Sequence, residues 1–262
     1  MTVVKELRRD WDERARKDAF FYIASWRKNW DPQAFFKSGE EDYKRLVAPH
    51  LHRTGFVTQG KTAIELGCGA GRMTRVFSAH FHRVVAFDVS EEMLKRAKAL
   101  LPNTGNVTWL HSNGENLGQA GSQSADFVFS YLVLQHLPCE ELVCGYIREM
   151  LRVLRHDGLC LFQFSSFKRP TMNWKGHWSW KLIDGLWAIR MRGLSRSLAK
   201  VVGFDPEMAG NSWHGTSITS AKVAETVRAA GGTVLEISAE DTPMAWCSAR
   251  RSDPRSGVPT LL

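Results

Sequence analysis

The sequence has no apolar run long enough to cross a bilayer. Its first stretch, Met1 to Arg16, is charged throughout and lacks the apolar core of a signal peptide. A cytoplasmic protein is the expectation. Cysteines are few, and the five present (Cys68, Cys139, Cys144, Cys160 and Cys247) are odd in number and scattered. Without the paired spacing of a zinc site or a disulfide framework, they read as reduced and mostly buried thiols, and no metal is expected. There is no internal repeat and no linker separating independent domains. Acidic residues are in deficit, 27 against 35 Lys and Arg.

That deficit is localised. Between Lys168 and Trp213 stand Lys168, Arg169, Lys175, Lys181, Arg190, Arg192, Arg196 and Lys200 against Asp184, Asp205 and Glu207. The same segment holds Trp174, Trp178, Trp180, Trp187 and Trp213, half of the ten tryptophans. The remainder is nearly balanced, and 262 residues suit one α/β domain with additions.

Strands and helices alternate from about residue 61. Thr62-Ala63-Ile64 reads as a short buried strand. Glu65-Leu66-Gly67-Cys68-Gly69-Ala70-Gly71 is a glycine turn, and Met73, Val76, Phe77 and Phe81 recur at helical spacing. Val84 to Phe87 is a second strand ending on Asp88. Ser90 caps a helix through Met93, Leu94, Ala97 and Leu100. Further strands are expected at Val107–Leu110, Ala125–Tyr131 and Leu159–Phe164, with a helix from about Glu140 to Leu154. Thr219-Ser220 opens a helix to Ala230. Thr233–Ile237 and Met244–Ala249 then read as an antiparallel pair. This alternation implies a parallel sheet with helices on both faces.

Residues 1 to about 60 read as helical. Leu7, Trp11 and Ala15 form a narrow apolar stripe, and Asp31-Pro32 is an N-cap and first-turn pair. Gly39 precedes another amphipathic segment, Tyr43 to Leu51. The aromatic cluster Phe20-Phe21-Tyr22-Ile23 with Trp26 and Trp30 is either plain packing or a lid.

The glycine turn selects among nucleotide sites. A dinucleotide site usually spaces its glycines G-x-G-x-x-G and leaves the helix N-terminus open to a pyrophosphate. Here the spacing is Gly67-x-Gly69-x-Gly71 behind Glu65. A carboxylate there would repel a pyrophosphate and suits a ligand carrying an ammonium and a sulfonium. Glu65 to Gly71 with Asp88 resembles the first motif of class I S-adenosylmethionine-dependent methyltransferases. More finely, the string from Trp11-Asp12 through Ser38-Gly39 resembles the preface of a bacterial subgroup acting on small molecules.

The resemblance implies a Rossmann-like, doubly wound seven-stranded sheet, mostly parallel with an antiparallel last strand. N-terminal helices (residues 1–60) would form a lid. Residues 61–165 and 214–250 would form the core, 166–213 an inserted helical cap for the acceptor, and 251–262 a flexible tail. The methionine part of S-adenosylmethionine would lie on Glu65, Gly67, Cys68, Gly69 and Gly71. Asp88 would hold the ribose, with Val89 and Met93 beside the adenine. Asn113-Gly114-Glu115 would meet the adenine edge, Asn113 standing where the family usually has an acid. Ser130 and Tyr131 would border the sulfonium, with Tyr22 a further contact.

His136 is expected near the reaction centre, as a general base or as a structural cap. Trp26, Trp174, Trp178, Trp180 and Trp213 would line the acceptor. Three readings of the cap stay open: an apolar wall, a basic face for an anion, or an interfacial helix for a lipid-like acceptor. The implied activity is methyl transfer to oxygen or nitrogen of a small molecule, releasing S-adenosylhomocysteine. Nucleic acid is not an expected partner, since Ser130-Tyr131-Leu132-Val133 replaces the Asn/Asp-Pro-Pro-aromatic motif that holds planar amines. The rivals are an RNA or protein methyltransferase, and a protein that binds adenosylmethionine or a nicotinamide cofactor without methyl transfer.

Overall fold

A computed structural model describes residues 3–166, 179, 182–183, 185–186, 191–202 and 215–252. Among these, seven strands form one sheet in the order β3-β2-β1-β4-β5-β7-β6. The strands are β1 (Thr62–Leu66), β2 (Arg83–Asp88), β3 (Val107–His111), β4 (Ala125–Ser130), β5 (Leu154–Phe164), β6 (Gly232–Ser238) and β7 (Ala245–Arg251). Strands β1 to β5 pair in parallel, and β7 runs antiparallel between β5 and β6. This is the doubly wound, mostly parallel sheet that the alternation predicts.

Side-chain alternation divides the core between the two sheet faces. Ile64, Leu66, Val128, Cys160 and Phe162 face one way, under α6 (Glu140–Val153) and α8 (Ser220–Ala229). Ala63, Phe127, Phe129, Leu159 and Leu161 face the other, where Phe77 of α4 (Thr74–His80) packs among them. Phe77 meets Phe127 and Phe129 edge-on, with ring centroids 6.1 and 5.1 Å apart.

From β1 the chain moves outward through β2 and β3, then returns to place β4 on the other side of β1. The carboxyl ends of β1 and β4 therefore flank the point where winding reverses, the usual ligand crevice of an open α/β sheet.

Helix α1 (Val3–Ile23) lies against α5 (Glu91–Leu100) and is interrupted at Asp18, whose extended backbone restarts the helix. Asp18 Oδ1 accepts from the Phe21 amide at 3.0 Å, as an N-cap does. Asp31 caps α2 (Pro32–Asp42), accepting from the Ala34 amide at 2.8 Å. After a single π-helical turn, Tyr43–Val47, α3 spans Ala48–Arg53.

Two local expectations change. Gly39 does not separate two helices. It sits inside α2 because the helix crosses the chain there, and a Cβ would stand 2.3 Å from the Arg72 carbonyl oxygen. The fifth strand, expected from Leu159, begins at Leu154. Its register with β4 shifts between Ala125 and Phe127, absorbing Asp157 at φ 60° in a bulge. Between β5 and α8, helix α7 spans Arg192–Val201. The rest of the expected cap, including Trp174, Trp178, Trp180, Trp187 and Trp213, and the tail beyond Ser252 lie outside the described residues.

Candidate active site

A cavity of about 390 Å³ opens at the carboxyl ends of β1 and β4. Its floor is the turn after β1, which the backbone ties to β2: the Gly67 and Cys68 amides both donate to the Phe87 carbonyl, at 2.7 and 2.9 Å. Gly67 and Gly69 have φ of 76° and 53°, the left-handed region that glycine enters without penalty. A Cβ on Gly67 would stand 2.1 Å from the Val133 side chain, and one on Gly69 would stand 2.7 Å from Ile23. The turn therefore brings bare backbone to the cavity wall.

Two buried carboxyls frame this floor. Glu65, on β1, accepts from the Thr74 hydroxyl at 2.6 Å. Burial pushes its carboxyl up to about 7, against the opposing pull of Thr74 and of the Arg72 charge. Asp88, at the tip of β2, accepts from the Gly69 amide through Oδ2 at 2.7 Å and from the Ser90 amide through Oδ1 at 2.8 Å. Burial raises it to about 6 despite these two bonds. Each oxygen keeps a second lone pair. Ser90 in turn caps α5, accepting from the Met93 amide, and donates to Asp12 of α1 at 2.6 Å.

The candidate residues divide by position. Tyr22, Trp26, Glu65, Gly67, Cys68, Gly69, Asp88, Val89, Met93, Gly114, Tyr131 and His136 all line the one cavity. Gly71, Asn113, Glu115 and Ser130 do not. Gly71 is buried and turned toward α5 and β3, where a Cβ would meet Leu101 and Trp109. Asn113 is exposed, and its Oδ1 accepts from the Glu115 and Asn116 amides, so its side chain closes its own turn instead of facing the adenine side. Glu115 is exposed as well. Ser130 is fully buried beneath the sheet end, and among the described residues its hydroxyl has no hydrogen-bond partner. The neighbours that do reach the cavity here are Ser112 and Tyr146, whose hydroxyls are 3.4 Å apart. Burial pushes the Tyr146 phenol up to about 12.

Several lining residues carry no signal in a linear reading. Arg72, directly after the glycine turn, is buried with its guanidinium 5.3 Å from the Trp26 ring and 5.5 Å from the Tyr131 ring. Leu132 has φ 59°, a conformation that costs a leucine of order 1–3 kcal/mol. It is held there by its amide, which donates to the buried Gln163 side chain at 3.1 Å. Pro243 and Met244, from the turn before β7, close the far wall. His136 rests edge-on against Trp11, with centroids 5.2 Å apart. Helix spacing on α1 could have pointed to Trp11; nothing local marks Gln163.

The cavity meets the requirements of the cofactor that the motif implies. An enclosed ammonium or sulfonium requires a nearby anion, which Glu65 supplies. A ribose diol requires two acceptors on one side chain, which Asp88 supplies. Close approach to the turn requires the absent side chains of Gly67 and Gly69. The donor set fits S-adenosylmethionine. Among the described residues, no cluster of three His, Cys, Asp or Glu is arranged to hold a metal ion.

Residues 64–162 match the family model described as a methyltransferase domain. The chain is 29% identical over 173 residues to the trans-aconitate 2-methyltransferase of Azoarcus sp. (strain BH72), covering 65% of this chain and 62% of that protein. It is 26% identical over 146 residues to the ubiquinone biosynthesis O-methyltransferase of Serratia proteamaculans, covering 55% and 58%. The chain thus spans less than two thirds of the length of either relative. The crystal structure of magnesium protoporphyrin IX methyltransferase from Synechocystis PCC 6803 with bound adenosylmethionine superposes with a TM-score of 0.60. That match covers 96% of this chain and 98% of that one at 15% identity, and so bears on the fold alone. Strand order, glycine turn, paired carboxyls and family model agree: residues 64–162 are similar to the methyltransferase-domain family, and the chain has the fold of the class I S-adenosylmethionine-dependent methyltransferases.

Proposed function

We propose that this protein transfers the methyl group of S-adenosylmethionine to an oxygen or nitrogen of a small-molecule acceptor. The observation that carries the reading is the shared cavity. Glu65, the bare backbone of Gly67 to Gly69, and Asp88 line it together with Trp26, Arg72, Tyr131 and Met244.

Adenosylmethionine, when bound, supplies an already activated methyl group, so orientation and water exclusion are the protein's main tasks. Glu65, oriented by Thr74, would hold the cofactor's ammonium. Asp88 would take the ribose hydroxyls on its remaining lone pairs. Met93 and Val89 would pack beside the adenine, whose edge would meet Ser112 and Gly114. Tyr22, Trp26 and Tyr131 would confine the acceptor, and the Arg72 guanidinium gives that wall a cation. Helices α1 to α3 would act as the lid.

The relatives' names support a small acceptor, since those proteins are described by trans-aconitate and by ubiquinone biosynthesis. Calorimetry of the full chain with S-adenosylmethionine, S-adenosylhomocysteine and NAD tests the cofactor. The expected result is binding of the first two and none of NAD. A panel of small carboxylic acids, phenols and amines incubated with methyl-labelled adenosylmethionine, alongside bulk RNA and protein, tests the acceptor class. Label entering only RNA or protein would overturn the small-molecule reading.

A further inference from the structure

Gln163 lies near the end of β5, fully buried, and its side-chain amide can be oriented from its partners alone. The Leu132 amide is a donor, so the group 3.1 Å from it is the Gln163 oxygen. The Pro243 carbonyl is an acceptor, so the group 2.7 Å from it is the Gln163 nitrogen. That nitrogen also lies 3.0 Å from the Gln135 side-chain oxygen and donates to it. With its oxygen committed, Gln135 turns its own NH2 toward His136 Nε2, 3.2 Å away. An amide NH2 can only donate. His136 Nε2 must therefore be an acceptor.

We infer that Gln163 is a positioning residue whose amide relay through Gln135 fixes His136 in the Nδ1–H tautomer with its Nε2 lone pair engaged. The inference concerns the chain's own hydrogen bonds and stands apart from the methyl-transfer reading, although it decides what His136 does under that reading. A general base must offer a lone pair to the acceptor's proton. The Nε2 lone pair is spent on Gln135, and accepting a proton there would set N–H against N–H. His136 accordingly serves as a fixed part of the wall, against Trp11. The same relay joins two segments at the cavity: the stretch after β4, through Leu132 and through Gln135 of the short helix Leu134–His136, and the turn before β7 through Pro243. Gln163 holds the strained Leu132 and the far wall by opposite ends of one amide.

The test uses the full chain labelled with ¹⁵N-histidine. Long-range ¹H–¹⁵N correlation spectra at neutral pH report which ring nitrogen carries the proton, and the His136 signal is assigned by its loss in His136→Asn. The expected wild-type signature is a protonated Nδ1 and an unprotonated, hydrogen-bonded Nε2. Gln163→Met removes the relay at its root, and Gln135→Met removes only its last link while leaving Gln163 with Leu132 and Pro243. In either variant His136 should shift toward the Nε2–H form that neutral histidine favours in water. A wild-type Nε2–H tautomer would overturn the inference, as would a tautomer unmoved in a folded Gln135→Met protein. Adenosylmethionine titrations on the same samples keep the outcomes separate. A protein that shows the relay signature but binds no cofactor rejects the proposed function and leaves the relay standing.

Discussion

The Arg72 guanidinium donates to the Asp42 carboxylate at 2.7 Å, and both side chains are buried, 3% and 9% exposed. The pair joins the residue after the glycine turn to the end of α2, so it fixes the N-terminal helices against the cofactor floor. Asp42 has a second partner, Arg45, whereas Arg72 is otherwise held by Ser38 and two rings. Removing one partner of a buried pair leaves an uncompensated charge, at a cost of about 3–5 kcal/mol. Asp42→Ala should therefore lower stability by that order, and Arg72→Met by clearly less, because Asp42 keeps Arg45. Urea denaturation of the two variants checks the ranking; equal losses would contradict it.

Gly39 and Gly145 are both interior helix glycines, and they should respond to alanine with opposite signs. A Cβ on Gly145, in α6, meets nothing within 4 Å, so Gly145→Ala should stabilise by about 0.5–1 kcal/mol through helix propensity. At Gly39 the new methyl would stand 2.3 Å from the Arg72 backbone oxygen. Backbone cannot swing aside, so Gly39→Ala should cost about 1–3 kcal/mol and disturb the Arg72–Asp42 contact. Paired thermal melts read both signs at once.

These two residues also show what a linear sequence discloses. The strands were legible because Val84 to Phe87 and Phe127 to Phe129 are short apolar runs bounded by turns, and Gly67 to Gly71 announces close backbone approach. Glu65 and Asp88 were legible because they stand at strand ends beside that turn. Arg72 was not, since an arginine after a glycine turn looks like any solvated cation until Asp42, thirty residues earlier, is folded onto it. Gly39 reads as a helix boundary for the same reason: the carbonyl it makes room for belongs to a distant segment. Gln163 is one polar letter in an apolar strand. Asn113 misled in the other direction, because its side chain satisfies its own turn, a local competition that the motif position does not reveal.

Proton linkage at the floor gives a pH dependence of fixed sign. Burial raises the Glu65 carboxyl from 4.5 to about 7 and the Asp88 carboxyl from 3.8 to about 6. Between those limits the folded, unliganded protein holds protons that the unfolded chain has released, so its stability should fall as pH rises from about 4 to about 7. A ligand carrying a fixed positive charge selects the ionised carboxyls. Adenosylmethionine binding should release protons below about pH 7, and its affinity should rise with pH up to that point and level off above it. Calorimetry at pH 6 in buffers of different ionisation enthalpy measures the release directly. Affinity that is flat from about pH 5.5 to 8 would mean that these carboxyls are already ionised in the free protein.

Asp88→Asn, normally a mild change, should be severe at this position. Both carboxylate oxygens accept from backbone amides, Oδ2 from Gly69 and Oδ1 from Ser90. An asparagine side chain has one oxygen, so in either orientation its NH2 confronts a backbone N–H. One buried donor is then left without a partner, at about 1–3 kcal/mol, and the left-handed Gly69 turn loses its anchor or α5 loses its lead-in. Adenosylhomocysteine affinity should fall at least about tenfold, equivalent to about 1.4 kcal/mol. Loss of the turn alone would produce a similar number, so the ribose assignment needs a second ligand. Adenosylhomocysteine lacking the 2′-hydroxyl should bind the wild type markedly less well than the intact ligand. In Asp88→Asn the two ligands should differ by a smaller factor, because the acceptor for that hydroxyl is already compromised. An undiminished difference in the variant would show that the hydroxyl is held elsewhere and that Asp88 serves the turn alone.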